Sequence, residues 1–120
     1  MTQSIHHAAL LLRELQKIDS EFPLQYAVCL LEIAQNEGLS LTQLSEKTHM
    51  PLSTVSRIVG ALSKFRQRGT PYNLVKVTIS PAERRKKQLA LTTKGQAVIT
   101  GIEQCVENIV NNASTVASKK

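Results

Sequence analysis

Residues 50–62, "MPLSTVSRIVGAL", carry the side chains whose types and spacing are most informative in this sequence. Apolar residues recur there every three or four positions, which predicts a helix with one buried face. The opposite face carries three small hydroxyls and a guanidinium, at Ser53, Thr54, Ser56 and Arg57. Because a guanidinium can donate two parallel hydrogen bonds to O6 and N7 of guanine, this face predicts recognition by hydrogen bonding.

Catalytic and metal-binding patterns do not accompany this helix. No Ser/His/Asp, Cys/His or paired-carboxylate set lies in a convergent context, so the sequence predicts neither an enzyme nor a cofactor. His6 and His7 are adjacent, and adjacent side chains on a helix point apart, so they predict no metal site. Cys29 and Cys105 lie in apolar helical patterns and are interpreted as reduced, buried thiols.

Positive charge is concentrated in one third of the chain. The 120 residues have a net charge of +6, yet residues 57–94 hold ten Lys or Arg and a single acid, Glu83. A basic surface that is merely solvated is the plainer interpretation of this charge. Segregation this strong instead favours binding to a polyanion, and nucleic acid is the commonest polyanion inside cells. The apolar run at residues 8–12 is too short for a signal peptide or a membrane span, so a cytoplasmic, nucleoid-associated protein is expected.

Apolar periodicity and capping residues predict four helices in the first half of the chain. A stripe from Ile5 to Ile18 predicts the first, and Pro23 opens a second that stops at Gly38. A third begins with a capping box of Ser40 and Gln43 and ends near His49. The fourth follows at once, with Ser53 as its expected N-cap. Two short helices joined so tightly predict a helix-turn-helix, whose second helix enters the major groove of DNA.

The second half predicts a hairpin and a long helix. Apolar residues alternate in residues 73–80 and again in 88–93, which is typical of strands. The link between them, "PAERRKK", contains a turn-forming proline and four consecutive bases, so the hairpin is predicted to be a basic wing. Thr92 or Thr93 then caps a helix to about residue 117. The predicted fold class is mainly α with a small β-hairpin wing.

Together, "LTQLSEKTHMPLSTVSRIVGAL" and "PAERRKKQLALTTKG" resemble the MarR family of winged-helix transcription regulators over residues 22–95. The family pattern is a helix-turn-helix, a wing around Asp-x-Arg, and Leu-Thr-x-x-Gly. The resemblance implies a winged helix-turn-helix with terminal dimerisation helices: one domain of residues 1–120, with helices at 1–20 and 93–117 and a DNA-binding lobe at 22–92. It also implies a homodimer that represses genes and often releases DNA on binding a small anionic or phenolic effector.

The same resemblance assigns residues, and several departures from the pattern accompany it. The base-reading positions are Ser53, Thr54, Ser56 and Arg57, the wing positions are Glu83, Arg84 and Arg85, and the strand-to-helix junction is Leu91, Thr92 and Gly95. Glu83 replaces the usual wing Asp, and "RGTPYN" lengthens the approach to the wing. His49 stands at a turn position where Gly is common, and His is one of the residues that tolerate a positive φ.

Each role has a plainer alternative. Arg57 is predicted to read sequence, but it could instead form a surface ion pair with Glu46. Arg85 is predicted to enter a narrow minor groove, or else lies on a solvated loop. Cys29 occupies a helix where some such regulators carry a redox-sensing thiol, although its apolar neighbours indicate an inert one. The residues predicted to contact phosphates without reading sequence are Lys64, Arg66, Arg68, Lys86 and Lys87.

The resulting hypothesis is a homodimeric, sequence-specific regulator, a repressor, that binds double-stranded DNA at an inverted repeat. Two alternatives come from other classes. An architectural protein would bind DNA with little sequence preference, and a winged helix used for protein docking would bind none. The basic wing argues against protein docking.

Overall fold

The structure is a computed structural model that describes residues 2–64, 71–79 and 87–118, with side chains from residue 3 to 111 of those ranges. The described elements, in chain order, are α1 (Thr2–Gln16), α2 (Leu24–Gln35), α3 (Leu41–Thr48), α4 (Leu52–Leu62), β1 (Val75–Ile79), β2 (Lys87–Leu91) and α5 (Thr93–Ser118). The predicted class, mainly α with a small hairpin, is confirmed. The chain divides into two compact units, Pro23–Ala97 and Met1–Phe22 with Val98–Lys120.

The core of the unit Pro23–Ala97 is almost entirely aliphatic. Helices α2, α3 and α4 pack against one another, and their largest fully buried side chains are Leu30, Ile33, Leu44, Ile58 and Leu62. Aromatic side chains contribute an edge-to-face pair, Tyr26 against Tyr72, with ring centroids 6.1 Å apart. Burying aliphatic side chains contributes about 1.5–3 kcal/mol each. This core therefore holds α3 and α4 at a defined angle.

Helix α3 begins and ends as its sequence predicts. The backbone N–H of Gln43 donates to Ser40 Oγ at 3.1 Å, and the N–H of Ser40 donates to Gln43 Oε1 at 2.9 Å, which completes the capping box. His49 ends the helix with φ 57° and ψ 30°, so the expected positive φ is confirmed. Three residues, His49 to Pro51, then separate α3 from α4.

The start of α4 differs from the prediction. Pro51 is the N-cap, with φ −57° and ψ 145°, and Ser53 is already the second helical residue. The assignment of Ser53 as N-cap was therefore wrong. The physical reason is that Pro51 has its φ fixed near the helical value and needs no hydrogen bond for an N–H, so the helix can begin directly after it.

The hairpin is antiparallel, with Val75 opposite Leu91 and Ile79 opposite Lys87. The alternating residues Val75, Val77 and Ile79, whose pattern predicted a strand, lie on one face of β1. Only Val75 is buried, whereas Val77 is 42% and Ile79 64% exposed. The apolar pattern did predict a strand, but the core reaches only the base of the hairpin.

Both strands are attached to the helices at this base. On the β1 side, the N–H of Leu74 donates to the carbonyl of Leu62 at the end of α4, at 2.8 Å. On the β2 side, the N–H of Gly38 donates to Leu89 O at 2.7 Å and the N–H of Leu89 donates to Leu39 O at 2.9 Å. Gly38 has φ 98°, a conformation that favours glycine. The sequence did not predict this attachment of the α2–α3 loop to β2.

The other unit brings together α1 and most of α5. Cys105 Sγ lies 4.0 Å from the carbonyl oxygen of Leu10, and Lys17 forms an ion pair with Glu14 at 3.0 Å.

Among the helices of the described ranges, none combines the length and the hydropathy needed to cross a membrane.

Candidate nucleic-acid interface

The polar face of α4 is solvent-exposed. Ser53, Ser56 and Arg57 are exposed, whereas Thr54 is half-buried at the margin of this face. The opposite face is held in the core by Val55, Ile58, Val59 and Leu62. The structure thus presents three of the four predicted base-reading side chains to solvent on one rigid helix. Their role as base-reading residues stays a prediction.

Two contacts position the start of α4. The Ser45 hydroxyl donates to Met50 O at 2.6 Å, which holds the turn between α3 and α4. The first intrahelical bond of α4 runs from the N–H of Val55 to Pro51 O, at 3.0 Å. Helix geometry leaves the preceding amides without an intrahelical partner, and the positive end of the helix dipole adds to their attraction for an anion. A phosphate near the start of α4 could accept hydrogen bonds from these amides and would also be attracted by the helix dipole.

Arg57 does not form the ion pair that was its plainer alternative. It pairs with neither Glu46 nor any other carboxylate of the described residues. The guanidinium therefore keeps its donors available, and a ligand with two acceptors side by side could engage it bidentately.

Two of the predicted phosphate-binding residues can be placed. Lys64 is exposed just after α4, and Lys87 is exposed at the first position of β2. The predicted wing and phosphate residues that lie outside the described residues are Glu83, Arg84, Arg85, Arg66, Arg68 and Lys86. Lys76, exposed on β1, was counted in the charge pattern but not assigned a role. Because Lys76 lies between Val75 and Val77 in an alternating strand pattern, the sequence could have predicted that its side chain is exposed on the hairpin.

The junction of β2 with α5 confirms the placement of Thr92 and Gly95. Thr92 is the helix cap: its hydroxyl oxygen accepts from the N–H of Gly95 at 3.0 Å, and its hydroxyl donates to Asn73 O at 2.7 Å. The N–H of Thr92 donates to Leu74 O at 3.0 Å. Gly95 is buried against that same carbonyl. The start of α5 is therefore bonded directly to the segment that leads into β1.

Cys29 and Cys105 should differ in reactivity. Cys29 is fully buried, and burial, followed by the negative charge of Glu32, raises the pKa of its thiol to about 11. Cys105 is only half-buried. Because the thiolate is the reactive form, iodoacetamide at pH 8 is expected to label Cys105 at least about tenfold faster than Cys29. Mass spectrometry of the native chain and of Cys105→Ser, which isolates Cys29, measures both rates. Equal rates would restore Cys29 as a candidate redox-sensing thiol.

Comparison with known proteins shows which families and folds this chain is similar to. Residues 33–66 match the model of the IclR helix-turn-helix domain. No curated protein sequence matches the chain. A MarR-like transcriptional regulator from Thermotoga maritima is 21% identical, with a TM-score of 0.69 over 80% of this chain and 63% of that one.

Two further structures are similar. RV1404 from Mycobacterium tuberculosis is 16% identical, with a TM-score of 0.72 over 99% of this chain and 74% of that one. A point mutant of MepR from S. aureus, bound to an oligodeoxyribonucleotide, is 17% identical, with a TM-score of 0.69 over 93% of this chain and 76% of that one. Likeness at these identities concerns the fold, so we conclude that this chain has the MarR-like winged-helix fold.

Proposed function

We propose that this chain is a homodimeric, sequence-specific DNA-binding transcriptional regulator that acts as a repressor, with α4 in the major groove and the hairpin wing in the minor groove. The observation that carries the proposal is the exposed face of α4, where Arg57 has no ion-pair partner among the described residues. A helix with small hydroxyls and an available guanidinium can approach base edges closely, which a bulky or ion-paired face could not.

Charge and comparison support DNA as the ligand. Lys64 and Lys87 are exposed at the end of α4 and the start of β2, where phosphates on either side of a groove could be reached. Residues 33–66, matched by the helix-turn-helix model, contain both helices of this motif. The MepR mutant with the similar fold is bound to an oligodeoxyribonucleotide. The repressor role rests on the resemblance to MarR regulators.

Exposed apolar side chains support the homodimer. Ile5 is 68% and Leu12 55% exposed on α1, and Val110 is 57% exposed on α5. Burying such residues against a second copy would remove them from water at about 25 cal/mol per Å². Sedimentation equilibrium at micromolar concentration is therefore expected to give twice the 13.2 kDa chain mass. Leu12→Glu should shift that equilibrium towards the monomer, whereas a wild-type chain that stays monomeric at high concentration would refute the dimer.

DNA recognition is tested on the DNA upstream of the gene for this chain. A two-fold dimer is expected to protect an inverted repeat whose half-site centres lie about one helical turn, 10–10.5 bp, apart. Footprinting with excess random competitor should show the protected site, and inserting five base pairs between the half-sites should abolish tight binding. Protection that is uniform along the fragment would instead support the architectural alternative. Absence of binding at low salt would support protein docking.

A further inference from the structure

The outer edge of β2 carries a contact that neither the resemblance nor the helix-turn-helix accounts for. Glu37 Oε1 accepts a hydrogen bond from the backbone N–H of Leu91, at 2.8 Å, across 54 residues of sequence. It lies beside the two bonds that join Leu89 to Gly38 and Leu39. The three bonds together form a strap, residues 37–39, along the edge of β2 that does not face β1.

The carboxylate occupies a position that backbone cannot fill. In an antiparallel pair, alternate residues of a strand point their N–H and C=O groups away from the partner strand. Leu89 pairs its N–H and C=O with the α2–α3 loop, but Asn36 is the C-cap of α2, and its carbonyl already accepts the N–H of Leu39 at 3.2 Å. The N–H of Leu91 donates to the side chain of Glu37 instead of to a carbonyl of this loop.

The loss of this acceptor would be costly. Leu91 is 6% exposed, so its amide has little access to water if the carboxylate is removed. A hydrogen bond to a charged acceptor is roughly twice as strong as a neutral one, and a buried donor left unpaired loses its full desolvation energy.

The strap connects β2 to the start of α3, the first helix of the helix-turn-helix. Residues 37–39 lead directly into Ser40, which caps α3. The hairpin is thus attached twice: β1 to the end of α4 through Leu74, and β2 to the start of α3 through the strap. The attachment before β1 alone would leave the hairpin freer to turn, whereas the second attachment, at β2, restricts its direction relative to α4.

We propose that Glu37 is a positioning residue, which sets the direction of the wing relative to the recognition helix without touching DNA itself. This inference rests on the proposed function, because the wing must contact DNA for its direction to matter. Its consequence is specific: loss of the Glu37 carboxylate should uncouple wing contacts from helix contacts, rather than weaken both together.

The test compares Glu37→Ala, which removes the acceptor, with Glu37→Gln, which keeps an oxygen acceptor without the charge. Glu46→Ala is the matched control, since Glu46 is also an exposed acid in the helix-turn-helix and forms no ion pair with a described residue. It reports what removing one negative charge does to DNA affinity. Hydroxyl-radical footprints and affinities are measured for all three on the preferred site.

Glu37→Ala is expected to lose protection at the flanks that the wing contacts, keep protection at the bases under α4, and bind the site about tenfold more weakly. Glu37→Gln should restore most of the flank protection, and Glu46→Ala should bind as well as wild type or better. A purely structural role would reduce flank and central protection equally. Glu37→Ala with a wild-type footprint, or equal loss at both positions, would overturn the proposal.

Amide exchange separates this proposal from the proposed function. In the free protein, the Leu91 amide of Glu37→Ala should exchange at least about tenfold faster than in wild type, with the amides of α4 unchanged. If wild type leaves no footprint but Leu91 exchange responds as expected, DNA binding is refuted while the strap is confirmed. If Leu91 stays protected in Glu37→Ala, the strap does not hold β2 and the inference fails whatever the DNA result.

Discussion

Replacing Gly95 with alanine is expected to destabilise the chain by about 2–4 kcal/mol, although helix propensity alone favours alanine over glycine by about 1 kcal/mol. A Cβ at residue 95 would overlap the carbonyl oxygen of Leu74 and lie 3.0 Å from its carbonyl carbon. These are backbone atoms, and the same carbonyl accepts the N–H of Thr92. The clash cannot be relieved by turning a side chain, so α5 must move away from the segment before β1.

Gly101→Ala on the same helix is the matched control. There the nearest atom to an added Cβ is Glu14 Oε2 at 3.4 Å, the end of a side chain at ordinary contact distance. Gly101→Ala should therefore be neutral or stabilising by up to about 1 kcal/mol. Urea unfolding followed by circular dichroism measures both variants. A Gly95→Ala midpoint at or above that of wild type would contradict the close approach of α5 to Leu74.

Arg57→Ala is expected to cost about 1–3 kcal/mol in affinity for the preferred site and little on random DNA, so that the ratio of the two affinities collapses. The reason is that a bidentate contact to a base edge exists only on the correct sequence. The exposed guanidinium has no carboxylate partner among the described residues, so its removal leaves no buried charge behind. Fluorescence anisotropy with specific and random duplexes measures both affinities.

Lys87→Ala is the matched control for Arg57→Ala, because it removes one exposed positive charge from the hairpin instead of the helix. A phosphate contact carries no sequence information, so both DNAs should weaken alike and the salt dependence should flatten by about one unit of slope per subunit. If Arg57→Ala also weakens both DNAs equally, α4 does not read sequence. The architectural alternative then describes the protein better than a specific repressor does.

Local sequence determined much of the helix-turn-helix. The capping box of Ser40 and Gln43 and the positive φ of His49 were predictable, because each depends on residues within one helical turn. The charge segregation and the hydroxyls around Arg57 likewise predicted an exposed polar face on α4. Its base-reading role and the wing contacts remain predictions. Even locally, the prediction of Ser53 as the N-cap was wrong, because the helix already begins directly after Pro51.

Contacts between distant segments were decided only by the tertiary structure. Alternation in β1 could not show that Val77 and Ile79 lie beyond the core, because a strand pattern does not report where the packed helices end. The resemblance to MarR regulators placed Gly95 at a junction, but its need for glycine comes from the Leu74 carbonyl. The Glu37 carboxylate likewise binds the Leu91 amide 54 residues away. Periodicity records which face of an element is buried, whereas a single long-range hydrogen bond or close backbone approach leaves no repeating trace in the sequence.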